Sequence, residues 1–152
     1  MKALISRLVS VTIVLLLTAI MSYAQWVAVA RAVSGRIQQM EQKSADGKGG
    51  YDVATVVIEA SAQKVYQTAL QRLQAHAAAV KVIKQDDKKR EVAFTNGIQT
   101  ASLQANFLGD KLTQLVVAST LDLSQPSATS LVVESIQNVC TELKVQCTVQ
   151  TD

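Results

Sequence analysis

Proline occurs once in this 152-residue chain, histidine once and tryptophan once, at Pro126, His76 and Trp26. Aromatic residues reach only 4%. Few exposed rings are therefore available, which argues against sugar binding and against base stacking on single-stranded nucleic acid. Any core must be built from Val, Leu, Ile and Ala. Cysteine occurs twice, at Cys140 and Cys147, without Cys-x-x-Cys spacing and with no histidine nearby in sequence; redox or metal chemistry finds no footing there. No nucleotide, metal or nucleophile motif is present, so we expect neither a cofactor nor a bound metal, and no catalytic residue is assigned.

Charge of one sign is also missing from most of the chain. Residues 1–50 carry six basic and two acidic side chains, net +4, whereas residues 51–152 carry nine basic and ten acidic ones, net −1. The overall +3 thus belongs to the first third. The remainder offers no electrostatic footprint for DNA or RNA, and no nucleic-acid partner is expected. Hydrophobic residues make up 49%, within the range of folded domains.

What is present begins with address. Lys2 and Arg7 precede an apolar run from Leu8 to Ile20, and Ser22-Tyr23-Ala24 supplies the small residues that a signal peptidase reads. This predicts a signal peptide over 1–24, cut at Ala24/Gln25, and an exported, periplasmic protein. No cysteine follows the run, so a lipid anchor is not expected. A second reading stays open: Leu8 to Ala30 is 23 residues, long enough to span a bilayer if left uncut, with the domain still outside. Residues 25–50 are polar toward a glycine-rich end and are expected to be a flexible linker, with at most a frayed helical turn near Arg36–Lys43.

From Tyr51 to the end a single α+β domain is expected. Val53 to Ala60 is β-branched and apolar, a buried strand. Ser61 can cap a helix from Ala62 to Ala77, whose apolar stripe is Val65, Tyr66, Ala69, Leu70, Leu73 and Ala77. Strands follow over Val80–Lys84, Arg90–Thr95, Ile98–Leu108 and Lys111–Leu121. Asn96-Gly97 predicts a two-residue hairpin with positive φ at both positions. In the third of these strands Ala101, Leu103, Ala105 and Phe107 should share the apolar face. A second helix carries Leu131, Ile136, Val139 and Cys140, and from Leu143 the period switches to that of a short final strand. The expected order is β-α-β-β-β-β-α with that last strand, an antiparallel sheet with both helices on one face.

Val56-Val57-Ile58-Glu59-Ala60-Ser61, then Lys64-Val65-Tyr66 and Leu70, resembles the opening of helix-grip domains of the START and Bet v 1 type. It is also similar to small exported bacterial domains of unknown function with this strand–helix start and a later meander. The resemblance implies hydrophobic-ligand binding or a role as an assembly module, but transfers no site residues. Helix-grip domains place two short helices after the first strand and carry more strands; the single helix here argues against a large cavity.

Cys140 and Cys147 would lie about 10 Å apart along one continuous helix, too far to bridge. The period switch at Leu143 lets the chain fold back, so a disulfide is expected in an oxidising compartment, with buried free thiols as the alternative. His76 reads as a helix C-cap residue, or as a general base lacking evident partners. The run Asp86-Asp87-Lys88-Lys89-Arg90-Glu91 reads as a solvated turn, or as carboxylates able to hold a cation. The functional expectation is a non-catalytic exported domain binding an envelope protein or a small apolar molecule. Tyr66, Leu70 and Leu73 with Leu131, Ile136 and Val139 would bracket a pocket; alternatively these residues simply form the core. A different class stays open, an enzyme using His76 or a buried Glu59 as base, as does a membrane-tethered structural protein.

Overall fold

The computed structural model describes residues 34–43, 49–122 and 131–149. The expected signal peptide or anchor lies outside the described residues. Among the described residues, seven strands and two helices follow in the order β1 (Arg36–Lys43), β2 (Gly49–Ile58), α1 (Ala62–Ala75), β3 (Lys81–Asp86), β4 (Glu91–Thr95), β5 (Thr100–Gly109), β6 (Leu112–Asp122), α2 (Leu131–Leu143) and β7 (Thr148–Val149). The sheet order is β3-β4-β5-β6-β2-β1-β7, antiparallel except where β7 joins β1. Both helices pack on one face.

The meander from β3 to β6 forms as the alternation requires. Ala54, Val56 and Ile58 of β2, Val92 and Phe94 of β4, Ala101, Leu103 and Ala105 of β5, and Leu115 and Val117 of β6 are all buried on the helix-facing side. Val65, Tyr66 and Ala69 of α1 and Val132, Ile136 and Val139 of α2 close over them. Ser61 caps α1, its hydroxyl accepting from the Lys64 amide at 3.4 Å. Each stripe buries apolar area that the isolated helix would leave in water, worth about 1.5–3 kcal/mol per large side chain.

The expected linker is corrected over Arg36–Lys43, which is strand β1 rather than a tether. Local composition gave no sign of it, because Ile37 and Met40 are its only large apolar residues and they do not alternate in phase. The strand is held from outside: Ile37 inserts fully into the core, and Gln39 donates its amide to both oxygens of Asp52 at 3.0 Å. Asp52, 3% exposed on the helix-facing side of β2, is a buried carboxylate that requires such a partner.

Two turn details also differ. The β4–β5 hairpin pairs Thr95 with Thr100, leaving residues 96–99 as the loop, and of Asn96 and Gly97 only Gly97 takes positive φ, at 91°. Asn96 instead accepts the amides of Ile98 and Gln99 on its side-chain oxygen at 3.0 and 2.7 Å, so the side chain does the work of a backbone turn. Phe107 keeps its register opposite buried Thr113 but is 59% exposed, because the β5–β6 tip, with its register shift between Phe107 and Gly109, lies at the margin of the core.

Candidate functional site

Among the described residues an opening lies between the two helices, above the sheet, with a volume of about 260 Å³. Its floor is apolar: Phe94 of β4, Leu103 of β5, Ala69 of α1 and Val139 of α2. Leu73 and the Ala79–Val80 segment after α1 make one wall. The rim is polar, with Arg72 and His76 on α1 facing Glu134, Ser135 and Asn138 on α2. An apolar base under a few convergent polar groups is the usual make-up of a small-molecule site, although this volume is below the common range.

Arg72 is the least satisfied group on that rim. Its Nε is buried and meets no hydrogen-bond acceptor, while Nη1 stands 3.7 Å from a carboxylate oxygen of Glu142. Both side chains are partly in water, 34% and 52% exposed, so their attraction is weak. His76 caps α1, and its Nδ1 lies 2.9 Å from the Arg72 carbonyl. A carbonyl only accepts, so Nδ1 carries the proton in that bond, and in the neutral ring Nε2 is then the acceptor.

The six residues named from the sequence as a bracket divide. Leu73 and Val139 line the cleft. Tyr66 and Ile136 are core residues, and Leu70 packs partly buried against the core. Leu131 is the first residue of α2. Tyr66 has a polar task as well: its hydroxyl donates to Asp87 at the β3–β4 turn over 2.7 Å. Burial first, and the Asp87 carboxylate second, push its pKa up to about 12. Asp87 also accepts from the Gln85 amide at 2.8 Å, and that bond first, with the Tyr66 bond second, holds its carboxyl below the ordinary value. Asp86 accepts the Lys89 amide at 3.0 Å. Both aspartates of the charged run thus serve the turn, and Glu91 pairs with Lys84 at 3.4 Å. Among the described residues no group of three or more His, Cys, Asp or Glu could hold a metal ion.

Glu59 is exposed and lines a separate opening of about 210 Å³ with Gly35, Val145 and Gln146. The fold therefore does not bring Glu59 and His76 together, and the burial that would make Glu59 a base is not there. Arg72, Asn138 and Phe94 are cleft residues that periodicity did not single out. Arg72 lies beside Leu73 on the edge of the α1 stripe, a position that reads as solvated until α2 is in place.

Cys140 and Cys147 form a disulfide, with Cα atoms 6.1 Å apart. The fold-back is a Schellman turn. Lys144 takes the left-handed conformation at φ 57°, its amide bonds Thr141 O at 3.1 Å, and the Val145 amide bonds Cys140 O at 3.0 Å. Thr148 then donates to Gly35 O at 2.8 Å, and β7 pairs with Arg36 and Ile37. Among the described residues no helix is long and apolar enough to cross a membrane.

No protein-family model matches the chain, and no curated protein matches it. Among solved structures it is similar to a conserved protein of unknown function from Enterococcus faecalis, at 11% identity over 70% of this chain and 89% of that one, with a TM-score of 0.46. It is also similar to CalU16 from Micromonospora echinospora, at 9% identity over 70% and 84% of the two chains and a TM-score of 0.46. A third similar structure is the ZhuI aromatase/cyclase from Streptomyces sp. R1128, at 13% identity over 71% and 85% and a TM-score of 0.36.

Proposed function

We propose that this is a non-catalytic exported domain that holds a small apolar molecule in the cleft between its two helices and its sheet. The observation that carries the reading is the opening of about 260 Å³ between the helices, lined by the apolar Ala69, Leu73, Phe94, Leu103 and Val139 beneath a polar rim. The strand–helix start at Val56–Tyr66, which resembles helix-grip domains, supports the same reading. Export is supported by the signal-like residues 1–24 and by the Cys140–Cys147 disulfide, which suits an oxidising compartment.

Octanol titrated against isotope-labelled protein tests the cleft. Saturable shifts confined to residues around Leu73, Phe94 and Val139 are expected, and Leu73→Trp, which fills the wall, should abolish them while leaving the fold intact by circular dichroism. Shifts elsewhere, or none, overturn the reading. Intact mass of the envelope fraction tests the address. A product beginning at Gln25 is expected, and a full-length chain in the cytosol overturns it.

A further inference from the structure

We propose that the ligand of this cleft is a small monocarboxylic acid, its apolar part on the sheet floor and its carboxylate on Arg72. This rests on the cleft being a ligand site and names the chemistry of what enters it. The guanidinium stands on the rim of an apolar cleft with its Nε–H shielded from water and no acceptor in reach. Leaving a charged donor unmet is unfavourable, and the acceptor that suits the planar fork of Arg is a carboxylate taken through two parallel bonds.

The protein's own carboxylate does not fill this role. Glu142 reaches only Nη1, at 3.7 Å, and is itself half in solvent. It therefore competes with an incoming acid without satisfying Arg72. Glu134 lies on the facing rim and repels an anion placed near α2, which favours the Arg72 side for the charged end and leaves the floor to the alkyl or ring portion. In the neutral His76 ring, whose Nδ1 donates to the Arg72 carbonyl, Nε2 is an acceptor and would meet a hydroxyl better than a carboxylate. The volume suits a molecule of about the size of octanoate rather than a long-chain lipid.

Octanoate and octanol share one chain and differ in the head group, so their affinities, measured by NMR titration at one ionic strength, separate the two proposals. Octanoate should bind at least tenfold more tightly than octanol. In Arg72→Gln the octanoate-to-octanol affinity ratio should fall to near one. In Glu142→Gln, an exposed change that leaves the cleft walls alone, octanoate should bind two- to fivefold more tightly, because its competitor is gone. Equal affinity for the two ligands in the unmodified protein overturns the proposal, as does an octanoate affinity that Glu142→Gln leaves unchanged or weakens. Binding of octanol with no preference for octanoate sinks the carboxylate and spares the cleft. Binding of neither sinks both.

Discussion

The Tyr66 hydroxyl, carried into the core by α1, reaches a turn 21 residues away and donates to Asp87. Because its folded pKa is raised from 10.0 to about 12, the folded state favours the protonated phenol. That contribution is fully present below pH 10 and is lost as pH rises through about 12. Urea unfolding between pH 9.5 and 12 should therefore show falling stability in the native protein and a flatter profile in Tyr66→Phe. The Asp87 shift has the opposite sign. Its pKa is lowered, so its contribution is present above the ordinary carboxylate value and lost as pH falls through the folded one. Since the Gln85 bond is the larger cause, Tyr66→Phe should shrink the acid limb without removing it. Lys144 makes a second residue-scale case. An L-residue at φ 57° is strained where glycine is not, so Lys144→Gly should stabilise the protein by about 0.5–1 kcal/mol in denaturant unfolding. At this scale the sequence identified Tyr66 as apolar and buried but gave no means of finding its partner, because the two are joined only through the packing of α1 against the β3–β4 hairpin.

Elements were legible where period and composition agreed. α1 began at Ala62, capped by Ser61, and the Schellman turn after Leu143 appeared in the sequence as a change of period. β1 was hidden because its eight residues carry mostly Gln and charge, and its strand character comes from pairing with β2 rather than from its own pattern. The closing β7 illustrates the same dependence. Two residues cannot hold as a strand alone, and the disulfide with the Gly35–Thr148 bond keeps them in place. Gly35 has φ 76°, and a Cβ there would collide with the Gln146 carbonyl oxygen, so the approach needs glycine. Replacing both cysteines with serine should lower stability by about 2–3 kcal/mol on the chain-entropy account. Hydrogen exchange should then accelerate at Thr148 and Val149 and in the Arg36–Ile37 segment before it changes in α1. Unchanged exchange there would mean that hydrogen bonding alone holds the end.

Across the whole molecule, β6 and β2 lie in the middle of the sheet, each paired along its length on both sides, whereas β3 and β7 are its edges. Native-state hydrogen exchange should follow that order: slowest amides in β2, β5 and β6, faster ones in β3, fastest in β7. Uniform protection across all seven strands would contradict it. The layered arrangement also sets what the cleft can be. The opening falls at the C-terminal end of α1, between it and α2, with Phe94 and Leu103 of the sheet among its lining.

Alternation and helical spacing in the sequence determined the layering, because burial of a period-2 face against two period-3.6 stripes has few compact solutions. The position of the two cysteines on either side of a period change likewise made their pairing geometrically open. The tertiary structure alone decided that Arg36–Lys43 joins the sheet, that Leu73 and Val139 line an opening while Tyr66 and Ile136 fill the core, and that Arg72 stands beside that opening. Those outcomes depend on contacts between segments far apart in the chain, and no local pattern encodes the distance between two helix axes.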